Sequence, residues 1–273
     1  MGGINMKYDG IELHPKVKEL LNRYSILKDE LSKLLEEREY ITITEIPRLE
    51  SEYKFKVGIT EYDCFALKIE MRAMRHEIKM RQTALRNGQN ITDEEIKSKI
   101  ELELKNWKKQ IDQMNEEINK AKIYLNSPTL SEEEAKEFKI LYRNTIKKLH
   151  PDINSDLSED NKTLWAKINE AYEDGNIEEL RNLSAKAEDI EEDLHLDNEN
   201  VLDSMSNKIV EMRNNIEKVI QDIDKLNSEF PVNMKEKLND RDWIRIKNEE
   251  TTKQIESLEK KKVFLKAMLA EFI

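Results

Sequence analysis

The chain has 273 residues, 38% of them charged and 38% hydrophobic, with only six Gly and five Pro. So few turn-formers beside so much Glu, Lys, Leu and Ile describe long helices and exclude a sheet-rich enzyme fold, and aromatics at 6% exclude one large aromatic core. The formal charge of −11 argues against general affinity for nucleic acid or anionic lipid, and the single cysteine, Cys64, excludes an intrachain disulfide framework.

The first predicted helix carries Val17, Leu20, Tyr24, Leu27, Leu31 and Leu34 at alternating steps of three and four, the narrow stripe of a coiled coil. The stretch Ile41 to Ile46 is β-branched and alternating, so strand and helix both remain open; Ile46, Leu49, Tyr53 and Val57 suit a helix restarting at Pro47. From Tyr62 the pattern continues through Ala66, Ile69, Ala73, His76 and Met80 to a cap at Asn87-Gly88. Thr92 with Glu95 forms a capping box that opens a helix with the seam Ile100, Leu104, Trp107, Ile111, Met114, Ile118, Ala121 and Leu125. Short connections imply antiparallel neighbours, so this half reads as a folded-back arm closed by Ser127-Pro128.

In the C-terminal half, Leu202, Met205, Ile209, Met212, Ile216, Val219, Ile223 and Leu226 keep the three-four spacing without a break. Phe230-Pro-Val-Asn233 interrupts it, and a last helix carries Ile244, Thr251, Ile255, Leu258, Leu265, Leu269 and Phe272; the pair reads as a second antiparallel hairpin. The acidic run Glu188 to Asp193 has no metal-ligand spacing and reads as a linker. Expected domains are an arm over 1–117, a central domain over 118–185, the acidic linker over 186–199 and a coiled-coil hairpin over 200–273. No apolar run approaches the ~20 residues that span a bilayer, and the start is not a signal peptide, so a soluble cytoplasmic protein is expected.

The central region carries the chemistry. Ser131 and Glu134 form a capping box, and Phe138, Leu141, Tyr142, Thr145 and Leu149 share one face of the helix that follows. Lys136, Lys139, Arg143 and Lys147 recur on another face, with Lys148 beside them, making a locally basic surface in an acidic chain. Pro151 stops this helix, so His150 and Asp152 are expected on a rigid exposed turn. A second helix from near Ser158, with Leu164, Trp165, Ile168, Ala171 and Tyr172 on its apolar face, is expected to pack antiparallel against the first.

At these residues the sequence resembles the J-domain family: Tyr142-Arg143, then Lys148-Leu149-His150-Pro151-Asp152, then Asn154, then Trp165 and the run from Ile168 to Glu173. The resemblance covers about a fifth of the chain, from about Ile118 to Leu183. It implies an all-α fold in which a J-domain helical hairpin is flanked by long coiled coils, its first helix supplied by the segment ending at Leu125. It also implies a non-enzymatic co-chaperone that docks on a DnaK-type (heat-shock 70 kDa class) ATPase and stimulates ATP hydrolysis there. By position, His150, Pro151 and Asp152 would be the trigger, and Lys139, Arg143, Lys147 and Lys148 would steer docking. Two departures stand out: Ile153 sits where the family commonly has a basic residue, and a short capped helix from Gly175 replaces the usual charged segment. Neither a glycine-phenylalanine-rich linker nor a repeated CxxC zinc region is present, so an unidentified client would be recruited by the coiled coils, and homo-oligomerisation stays open.

Blander readings compete with these. A His-Asp pair can act as base and orienter, but no nucleophile accompanies it, so no catalytic residue, metal or cofactor is expected. His76 on its seam reads as a packed histidine, His14 and His195 have no partners at metal spacing, and Cys64 reads as inert. The rival to a co-chaperone is a structural or adaptor protein in which the J-like fold braces two arms. Polar changes at Ile216 and Ile223 would then abolish partner binding, while changes at His150 or Asp152 would not. Nucleic-acid binding would need a longer basic stripe.

Overall fold

A computed structural model describes residues 15–127, 130–154, 156–190 and 201–272, and every regular element among them is helical. His14, Pro128, His195 and most of the acidic linker lie outside the described residues. In chain order the helices are α1 (Pro15–Glu39), α2 (Ile46–Tyr53), α3 (Ile59–Arg86), α4 (Asp93–Asn126), α5 (Glu132–Leu149), α6 (Glu159–Glu173), α7 (Ile177–Glu188), α8 (Val201–Ser228), α9 (Lys235–Asn239) and α10 (Arg241–Ala270). None of them is long and apolar enough to cross a membrane.

The chain divides into two units, one of Met1–Ile46 with Pro128–Phe230, the other of Pro47–Ser127 with Pro231–Ile273. In the first, α1 packs along α8 and also against α5, while α5, α6 and α7 pack on one another. In the second, α3 packs along both α10 and α4. The seams were therefore read correctly as seams, and α3 and α4 are neighbours as expected, but α1, α8 and α10 have other partners than expected. The described residues of the expected arm, from Pro15 on, are split between the two units, α8 pairs with α1, and α10 pairs with α3. A heptad stripe specifies that a helix has a partner, and the choice among stripes of similar character is left to loops and polar contacts. The end of α4 at Leu125 likewise belongs to the second unit, so it does not supply a first helix to the central domain.

The ambiguous Ile41–Ile46 segment is helical, with Tyr40–Glu45 in a π-helical register and the Ile46 N–H reaching back to Ile41 O. Pro47 explains this register. It lacks the N–H that would continue the α-helical ladder and its ring crowds the preceding turn, strain that a widened turn relieves. A second π turn covers Lys54–Gly58. There the Lys56 carbonyl accepts from Asn248 Nδ2 of α10 at 2.8 Å, and Asn248 Oδ1 in turn accepts from Thr60 Oγ1 at 2.6 Å. Asn248→Ala is expected to lower the stability of the second unit by about 1–2 kcal/mol, since it removes two bonds from partly buried partners; amide exchange across α3 and α10 measures it.

The predicted caps are all present. Gly88 adopts φ +61 past the end of α3, and the Thr92/Glu95 and Ser131/Glu134 boxes open α4 and α5. His76 differs from its reading as a packed residue: its Nε2 meets Glu103 Oε2 of α4 at 2.6 Å, with about a third of the side chain exposed. Among the described residues no group of His, Cys, Asp and Glu is arranged to hold a metal ion.

Candidate docking site

The site is built on α5 and the turn that ends it. The α5 and α6 helices meet through a column of rings. Phe138 stacks on Tyr172 (centroids 4.8 Å), Tyr172 on Tyr142 (3.7 Å) and Tyr142 on Trp165 (5.8 Å), and Trp165 meets His150 edge-on at 5.3 Å. Rising numbers on α5 meet falling numbers on α6, so the two helices are antiparallel, as expected. Tyr142 Oη also donates to Asn169 Oδ1, 2.9 Å away. Burial pushes both the Tyr142 and Tyr172 phenols well above the usual range, so both stay neutral and the column stays uncharged.

Helix α7 completes the packing. Asn176 caps it by accepting from Glu179 N–H, and Leu180, Leu183 and Ala187 are buried. Arg181 clasps Glu137 of α5 with two 2.7 Å bonds, and Gly175 at φ +65 makes the turn that leads into α7.

His150 closes α5 with its N–H on Ile146 O, leaves the helical region at ψ 130 and turns its ring inward, where only 6% of the residue is exposed. The expectation that both His150 and Asp152 project into solvent is corrected on this point. The His150 ring fills the end of the ring column, and its Nδ1 accepts from the Asp152 backbone N–H at 3.0 Å. Desolvation pushes its pKa down to about 4; Asp152 opposes the shift and Arg38 of α1 adds to it. The loop is tightened by Ile153 and Asn154 N–H bonds to His150 O and by Asn154 Nδ2 on Lys147 O. Ile153 is buried and anchors the loop. Pro151 and Asp152 face outward, with 43% of the Asp152 side chain exposed and its carboxylate 3.9 Å from His150 Nδ1.

The four basic residues expected to steer docking meet different fates. Lys148 donates to Glu188 O and Ile190 O, capping the end of α7, which gives it a structural role. Lys147 pairs with Asp29 of α1, and the Lys139 ammonium sits 3.4 Å from the centre of the Tyr40 ring. Glu36 of α1 is half-buried beside Lys139 and Arg143; desolvation raises its pKa, and the two cations pull against that rise. Lys136, at the start of the stripe, is exposed.

Sequence reasoning did not find the groups facing this surface from α1 and α8: Asp29, Glu36, Arg38, Tyr40, and Asn215, whose Nδ2 donates to Asp152 O at 2.9 Å. The signal for α1 was present in part. Beside its hydrophobic stripe α1 also buries Lys28 and Ser32. Both are polar, so they left no hydrophobic periodicity to read.

No protein-family model, no curated protein and no solved structure matches the chain.

Proposed function

We propose that the chain is a J-domain co-chaperone that docks on a DnaK-type ATPase through α5 and the His150-Pro151-Asp152 turn and stimulates ATP hydrolysis by that partner. The observation that carries this reading is the turn itself. A basic helix locked to its antiparallel neighbour by stacked rings ends in a proline turn whose inner residue is buried and whose Asp152 carboxylate faces solvent. Such a carboxylate, on a loop fixed by Pro151, Ile153 and Asn154, suits a charge-assisted bond to a guanidinium with little entropy lost on docking. The chain itself performs no chemistry in this reading, and its coiled-coil helices recruit the client.

The test is ATP turnover by the host's DnaK-type protein in the presence of the full chain. Asp152→Asn is expected to abolish stimulation with the helices intact, since the side chain is exposed and bonds no buried donor. His150→Gln is expected to abolish it too, by loosening the loop. Equal stimulation by wild type and both variants would sink the reading.

A second reading, an adaptor whose J-like fold only braces the helices, is favoured by the intramolecular engagement of Lys139, Lys147 and Lys148. The structure changes how it is probed. Ile216 and Ile223 are buried in the α8 seam, so polar residues there would break the unit itself. Val210 and Ile220, 55% and 41% exposed on α8, are the positions whose polar replacement reports client binding.

A further inference from the structure

The basic face of α5 is already occupied by this chain's own α1, and the occupant has the chemistry expected of a partner. Asp29 takes Lys147, Glu36 lies within electrostatic reach of Lys139 and Arg143, and the ring of Tyr40, just past the end of α1, takes the Lys139 ammonium. An acidic and aromatic helix edge therefore lies on a cationic one. On the loop side, Asn215 of α8 holds Asp152 O, and a shallow cleft beside it is lined by Tyr24 of α1, Pro151, Asp152 and Ile153 of the turn, and Met212 of α8. The α1 and α8 helices pack along each other, so both contacts belong to one packed pair.

We propose that α1 is an intramolecular mimic of the ATPase partner: it covers the docking face of α5, and the partner, presenting an acidic surface to the same cations, must displace it. This rests on the co-chaperone reading and adds regulation to it. The cover is suited to exchange. Asp29 is half-exposed, and solvent-exposed ion pairs are individually weak and screened by salt. The docking turn needs less uncovering than the helix, because Pro151 and Asp152 already face outward. A docking face open only part of the time lowers apparent affinity by the open fraction. If the face is covered in about nine molecules of ten, weakening the cover tightens binding about tenfold.

The experiment compares the full wild-type chain with Asp29→Lys/Glu36→Lys, which reverses the charge facing α5 and leaves the buried Leu31 and Leu35 in place. The readouts are ATP turnover by the DnaK-type partner across chain concentrations and amide exchange over α1 and α5. The expected result is half-maximal stimulation at about tenfold lower concentration, lost again when Asp152→Asn is added, with faster exchange in α1 and retained protection in α5. If protection in α5 is lost, Asp29→Asn/Asn215→Ala, which replaces no buried residue, carries the same comparison with a smaller shift. Equal concentration dependence for wild type and variants, all abolished by Asp152→Asn, overturns the cover and leaves the co-chaperone reading standing. Absence of stimulation by every form overturns both.

Discussion

Tyr142→Ala is expected to lower the stability of the first unit by about 4 kcal/mol, the upper range for aromatic truncation in a core. Tyr142 is 1% exposed and stacks on Tyr172 and Trp165, so its removal opens a cavity at the centre of the ring column and also deletes two aromatic pairings. Tyr142→Phe keeps the ring and loses only the Asn169 bond, for about 1 kcal/mol. Denaturant unfolding, with amide exchange resolved over α5 and α6, separates this unit from the one built on α3, α4 and α10. A loss for Tyr142→Ala no larger than that for Tyr142→Phe would show that the stacked rings do not hold α5 to α6. Loss of the column would also loosen the turn, because the His150 ring packs at its end against Trp165.

The helices and their ends were legible because their determinants are local. Thr92 with Glu95, Ser131 with Glu134, and Gly88 each satisfy orphan backbone groups within a few residues of themselves. The α8 seam was read almost residue for residue, with Met205 through Ile223 buried as the spacing required. Partner choice was illegible for a physical reason: α1, α3, α8 and α10 all carry stripes that fit one another, and polar contacts such as Thr60 with Asn248 are invisible to hydrophobic spacing. The candidate site divides the same way. Its turn and its basic stripe could be named from sequence, whereas the burial of His150 and the presence of Asp29, Glu36 and Tyr40 opposite the stripe depend on tertiary packing. A polar residue's hydrophobic neighbours are not written beside it in the chain.

His150 supplies the second large effect, a pH dependence of the site's own stability. Its folded-state pKa lies at about 4 and the unfolded value near 6.5, so below about 6.5 the unfolded chain binds a proton that the folded chain refuses. Stability is therefore full above about pH 6.5 and falls progressively toward pH 4, where the difference corresponds to roughly 3 kcal/mol. Desolvation is the main cause. Arg38 facing the ring from α1 works in the same direction, and Asp152 on the loop works against both. Protonation has a specific local cost as well: the charged ring cannot accept the Asp152 N–H, so the turn loses the bond from Asp152 to His150. Amide exchange at Asp152, Ile153 and Asn154 is expected to speed up as pH falls through 6, after correction for intrinsic rates, before any change in α3 or α10. His150→Gln is expected to flatten that dependence while loosening the loop at all pH values. If the loop amides of wild type and His150→Gln respond to pH alike, the buried imidazole is not the group that sets the stability of the turn.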